Sequence, residues 1–190
     1  LIALAFLLDD FDPNNAANFG MGTPIAAFFK TIGGVAFNFM LPILAGYIAM
    51  SIADRPGLAV GFVGGSLAAA GTSFATILDP NTAAIPAGFL GALLAGFVGG
   101  YFMLGLRKVC DKLPDSLEGI KPILLYPVIG VLFMGLFMCL VNPIMGAINN
   151  GLIAFLNSLG GTSKILLGAV LAGMMSIDMG GPFNKAAYVT

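Results

Sequence analysis

The residues best placed for chemistry lie near the end of the sequence. Asp178, Asn184 and Lys185 are grouped around Gly180, Gly181 and Pro182. The apolar segment 165–175 that leads into them reads as a helix entering a membrane. It is shorter than the roughly 20 residues needed to cross the hydrocarbon. Pro182 supplies no N–H and clashes with the preceding turn, and the two glycines permit a break. Broken backbone at membrane depth persists only where protein buries it or a wet cavity meets it, and such breaks are where transporters place substrate sites. An acid, an amide and an amine there can pair with the hydroxyls of a neutral, hydroxyl-rich ligand. The same residues also fit an ordinary loop at a helix end, with Asp178 and Lys185 in water.

Composition indicates which elements must hold these groups. The chain has 190 residues, 58% hydrophobic and 9% charged, with mean hydropathy +1.00. An average soluble domain is about 25% charged. This chain could not cover a water-facing surface, so lipid is the solvent for most of it. A net charge of −1 leaves no basic patch to neutralise phosphates, which excludes a nucleic-acid partner. There is no histidine, which removes the commonest general base and most zinc chemistry. Cys110 and Cys139 have no metal or redox spacing, and the topology below puts them on different sides, so no disulfide is expected. No nucleophile elbow and no nucleotide-binding glycine loop occur. Neither a metal nor a cofactor is expected.

The pass along the chain predicts an all-α, polytopic helix bundle. Residues 1–8 form an apolar run that reads as the tail of a span without the marks of a signal peptide. The chain is therefore expected to be a piece of a larger membrane domain, cut at both ends. An acidic loop follows at 9–15. Spans are expected at 31–53, with Pro42 kinking it, at 58–78, 86–106 and 122–141. Residues 54–57 form a tight connection. Residues 107–121 form a long polar loop carrying Arg107, Lys108, Lys112 and Lys121, four of the eight basic residues. By the excess of basic residues on cytoplasmic loops, this loop faces the cytoplasm and Arg55 lies on the same side. Lys30 departs from that pattern and is expected to snorkel to the headgroups. Residues 143–159 read as a separate amphipathic helix with Pro143 in its first turn, either connecting two sub-bundles or simply buried. Small residues repeat every fourth position at Gly57, Gly61, Gly65 and Ala69, at Ala92, Gly96 and Gly100, and at Gly168, Ala172 and Ser176. Such stripes let helix backbones approach closely in lipid.

Three motifs resemble the fructose family of bacterial phosphotransferase-system permeases, the enzyme IIC membrane component. They are Ser-Ile-Ala-Asp54-Arg55-Pro56-Gly57-Leu-Ala, Ser-Leu-Glu118-Gly119-Ile-Lys121-Pro-Ile-Leu-Leu-Tyr126-Pro, and Asp178-Met-Gly180-Gly181-Pro182-Phe183-Asn184-Lys185-Ala-Ala-Tyr188. The match runs in the same order at similar spacing over essentially the whole chain. Phe183 departs from it, standing where the family has a small aliphatic residue. The resemblance implies a multi-pass protein of the bacterial inner membrane. It implies a homodimer that carries fructose or a related sugar by an elevator motion, with the sugar phosphorylated by a partner IIB component, itself served by IIA. The mannosylglycerate permeases look similar. By analogy residues 1–141 are scaffold-like and 142–190 begin the transport part. Asp178, Gly180, Gly181, Asn184 and Lys185 are then substrate-binding candidates, and Asp54, Arg55, Pro56, Gly57, Glu118, Gly119 and Pro182 motif residues of structural role. The family's sugar-binding glutamate motif and the phosphocysteine motif of IIB have no counterpart here. Neither cysteine is therefore cast as a phosphoryl carrier, an enzymatic role for this chain alone is left open, and the chain alone is not expected to transport. The competing readings are a secondary transporter or channel with a broken-helix site, not coupled to phosphorylation; an intramembrane enzyme using Asp178; and a scaffold subunit.

Overall fold

The computed structural model describes residues 1–9, 18–114 and 118–160, with 168, 169, 172, 173 and 176 beyond them. Among these residues every regular element is helical. The chain divides into two compact units at Met40/Leu41.

In the first unit, α1 (Ile2–Leu7) packs on α2 (Pro24–Asn38). The contact runs through Gly33, where a Cβ would lie 2.5 Å from Ile2 Cγ1. Thr23 caps α2 by accepting from Ala26 N at 3.2 Å, and Pro24 fills the first helical position, where a missing N–H costs nothing. The carboxylate of Asp9 accepts from the backbone N–H groups of Gly20 and Gly22 at 2.6 and 3.0 Å. Lys30 finds partners within the unit. Its Nζ donates to the carbonyl of Phe19 and lies 5.8 Å from the centre of the Phe6 ring, which itself stacks on Phe19.

The second unit is a bundle of α3 (Met40–Ala53), α4 (Arg55–Ala70), α6 (Gly88–Cys110) and α7 (Tyr126–Gly160), with a short α5 (Phe74–Leu78). The glycine stripe of α4 lies against the backbone of α3. A Cβ on Gly61 would stand 2.5 Å from Ala45 O, and one on Gly65 2.6 Å from Leu41 O; Gly57 faces Ala49 O in the same way. The stripe of α6 meets α3 too, Gly96 against Ile48 and Gly100 against Ile52. Methionines fill the remaining hollows: Met134 Sδ sits 2.9 Å from a Cβ position on Gly64, and Met103 Sδ 2.7 Å from one on Gly130. Flexible thioethers suit such irregular gaps. The first two stripes are therefore packing surfaces; Gly168, Ala172 and Ser176 of the third are exposed, and a Cβ on Gly168 would meet nothing within 4 Å.

Three elements depart from the expected spans. The first span is interrupted at Phe39, between α2 and α3. The ring of Pro42 clashes with the carbonyl four residues back, at Asn38, so the break precedes the proline by one turn. The expected span 58–78 is broken by Gly71, which ends α4 at φ +70° and donates to Leu67 O at 3.0 Å. A Cβ there would also meet the backbone of Ile85 at 2.5 Å, so only glycine fits. The chain restarts at α5, capped by a reciprocal Ser73–Thr76 box. At Pro143 the opposite holds: α7 runs through it without a second helix beginning.

Three stretches, Pro24–Ala53, Gly88–Cys110 and Lys121–Ile148, are long and apolar enough to cross a membrane. Large apolar side chains on them point outward, among them Phe28, Tyr47, Phe97, Leu132 and Leu140.

Candidate functional site

The site begins at the turn between α3 and α4. Pro56 sits in the first turn of α4, where it starts that helix and prevents α3 from running on. Asp54, between the helices, is held at φ 59°, ψ −155°. Non-glycine residues rarely adopt this conformation, at a cost of about 1–3 kcal/mol. Its side chain makes no capping bond to α4. Instead its Oδ2 lies 3.2 Å from Nη1 of Arg107, and the same nitrogen donates to Ala53 O at 3.3 Å. Arg107 belongs to the last turn of α6, where a cation also complements the exposed carbonyls.

The third wall is the entry to α7. Pro127 cannot donate to Ile123 O, and its ring crowds that carbonyl. The chain responds with one π-helical turn, Lys121–Leu125, in which Tyr126 N donates to Lys121 O five residues back. Single π-turns occur often at functional sites. This one leaves Lys121 only 9% exposed.

These three pieces line an open cavity of about 580 Å³. Asp54, Arg55, Pro56 and Met50 line it from the α3–α4 turn, Arg107 and Asp111 from the end of α6, and Glu118, Lys121, Pro122 and Tyr126 from the approach to α7. A smaller hollow of about 220 Å³ shares Arg55, Pro56, Pro122 and Tyr126 and reaches Ala59 and Pro127. Two motifs more than sixty residues apart in the sequence thus form one site.

Of the motif residues, Asp54, Arg55, Pro56 and Glu118 line the cavity. Gly57 is buried against α3, and Gly119 stands in open space in the turn beside Glu118. Asp178, Gly180, Gly181, Pro182, Asn184 and Lys185 lie outside the described residues. Arg107, read from the sequence only as a marker of membrane sidedness, and Lys121, read as such a marker and as part of the second motif, also line the cavity. So do Asp111 and Tyr126. The Lys121-Pro122 and Tyr126-Pro127 pairs could have flagged them, since each proline perturbs a helical turn beside a polar side chain.

A second polar position lies in the bundle core. Asn142 is fully buried, and its Nδ2 donates to Leu67 O at 2.9 Å and to Thr72 O at 2.7 Å, while its Oδ1 has no partner. Both neighbours are acceptors, so the amide must point its nitrogen at them. Asn142 thereby supplies a donor to the Thr72 carbonyl and a further one to that of Leu67, which already accepts from the Gly71 and Thr72 N–H groups.

A helical membrane bundle with this pair of motifs defines a class. The family model for the phosphotransferase system EIIC component matches residues 1–190, and the chain belongs to that family. It is 43% identical over 192 residues to the fructose-specific EIIABC component of Bacillus subtilis, covering 99% of this chain and 27% of the relative. It is 45% identical to the fructose permease IIC component of Bacillus amyloliquefaciens, covering 80% and 46%. With the fructose-specific EIIB'BC component of Vibrio cholerae it shares 48% identity, covering 88% and 26%. The chain thus spans between a quarter and a half of the length of these relatives. No solved structure matches it.

Proposed function

We infer that the chain is the membrane part of a sugar permease that takes up fructose and delivers it to a phosphorylating IIB component, with IIA supplying IIB. One observation carries this reading: the family match spans the whole chain, and the relatives named above are fructose-specific. The names of the relatives also support the partners, since EIIABC and EIIB'BC proteins carry further components in one chain. The protein then works in the bacterial inner membrane as a homodimer. Residues 107–121 face the cytoplasm, a placement supported by Arg55, Arg107 and Lys121 meeting at one cavity. Residues 1–141 act as scaffold and 142–190 begin the transport part. Sugar is held at Asp178, Gly180, Gly181, Asn184 and Lys185.

The test is sugar binding to the purified full-length protein, comparing fructose with mannitol, glucose and mannosylglycerate. Selective binding of fructose is expected. Preference for another sugar of the panel would overturn the substrate, and binding of none would overturn the permease reading.

A further inference from the structure

The polar cavity has a use that sugar translocation leaves open. Its six charged lining residues are Asp54, Arg55, Arg107, Asp111, Glu118 and Lys121. They balance in number but not in environment. Arg107 is committed to Asp54. Asp111 and Glu118 are exposed, so water screens them at little cost. Lys121 is 9% exposed, and among the described residues neither it nor Arg55 makes an ion pair. A largely buried cation without a counter-ion is expensive. The unmet electrostatic demand of the cavity is therefore for an anion at Lys121. Two departures from regular backbone frame the same spot, the π-turn that Lys121 opens and the left-handed Asp54 opposite. Both kinds of irregularity cluster at working sites. The volume, about 580 Å³, suits a small ligand.

We propose that this cavity binds a terminal phosphoryl group, with Lys121 and Arg55 holding it and Asp111 and Glu118 accepting from hydroxyl or amide donors beside it. The proposal rests on the phosphotransferase reading, which supplies two sources of such a group: the phosphorylated sugar on release, and the phosphoryl group carried by the partner component. No bond is made or broken in the cavity; it is a binding site.

The experiment uses the full-length protein with Lys121→Gln, Lys121→Arg and, as a control outside the cavity, Lys108→Gln. Affinity is measured for a hexose monophosphate and, separately, for the phosphorylated IIB component. Lys121→Gln is expected to weaken at least one of them tenfold or more, with Lys121→Arg and Lys108→Gln staying within about threefold of wild type. A loss confined to the hexose phosphate assigns the cavity to the product; one confined to the phosphorylated component assigns it to the carrier. Unchanged affinity for both, or binding of neither by wild type, overturns the proposal. A second measurement does not depend on the variants folding. Amine-reactive labelling of Lys121 in the wild-type protein should drop at least fivefold on adding the ligand that binds, and undiminished labelling overturns the site. Donor-dependent sugar phosphorylation by the wild type tests the underlying reading on its own. If that activity is present while Lys121 is indifferent to phosphate, the cavity assignment alone fails.

Discussion

Arg107 and Asp54 stand fifty-three positions apart, yet Nη1 of the one lies 3.2 Å from Oδ2 of the other. The contact ties the end of α6 to the α3–α4 turn and holds an aspartate in backbone space normally left to glycine. The ion pair is too exposed to stabilise much by itself, its side chains being 42% and 83% accessible. Exposed pairs contribute about 0–1 kcal/mol. The arrangement is thus a positioning device more than a source of stability.

That balance gives a first prediction. Asp54→Ala loses the pair and keeps the strain, whereas Asp54→Gly loses the pair and relieves it. The glycine variant should be the more stable of the two by about 1 kcal/mol, after allowing for the entropy glycine loses on folding. Thermal unfolding of the full-length protein in detergent would show it. Equal midpoints would mean that no strain is stored at this turn.

The glycine stripe makes a second. At Gly61 even a methyl group would stand 2.5 Å from Ala45 O and 2.7 Å from Gly46 Cα, both backbone atoms that cannot rotate away. Gly61→Ala should cost about 1–3 kcal/mol, and Gly61→Leu should leave little folded protein. Gly135 meets nothing within 4 Å. Gly135→Ala should be neutral or stabilise by up to about 1 kcal/mol. Monodisperse yield and unfolding midpoint check both, and equal behaviour at the two positions would contradict the packing described for α3 and α4.

How far the sequence could be read is clearest at the prolines and glycines. The helical bundle, the tight connection at Pro56 and the packing role of the Gly57–Gly61–Gly65 stripe follow from composition and period. Breaks within spans do not. Pro42 displaces the interruption to Phe39, Gly71 ends a helix whose apolar pattern continues, and Pro143 is carried inside α7. Each outcome depends on whether neighbouring helices supply partners for the freed backbone groups, which local pattern does not contain. The cavity was hidden for the same reason. Its pieces are legible one at a time, at residues 51–59 and 116–127, but their meeting is set by how α3, α6 and α7 pack. The candidates from Asp178 to Lys185 rest on sequence pattern and family resemblance.

Asn142 supports a third prediction. Truncation to alanine removes the side-chain donor to the Thr72 carbonyl and opens a small void, for a loss of about 2–4 kcal/mol. Asn142→Leu fills the volume but takes the side-chain donor from the Thr72 carbonyl, so about 1–3 kcal/mol should still be lost. Asn142→Asp should be the worst of the three, because an ionised carboxylate cannot donate and is buried. Unfolding midpoints in that order are expected; a leucine variant as stable as wild type would show that the two hydrogen bonds contribute nothing net.

A fourth concerns the Gly-Gly-Pro segment. In the full-length protein, Asp178→Ala or Asn184→Ala should lower sugar uptake at least tenfold at near-normal membrane levels, if these side chains contact the sugar. Uptake assays normalised to membrane-inserted protein would decide this. Unchanged uptake in both variants would return the segment to the role of an ordinary loop.

The most direct test of the central claim is fructose uptake by the full-length protein in cells lacking their own fructose permease, with and without the phosphoryl-donor components. Uptake, with the sugar recovered inside as its phosphate, is expected only when the donors are present. Accumulation of unmodified fructose at the same rate in their absence would contradict it and favour an uncoupled transporter.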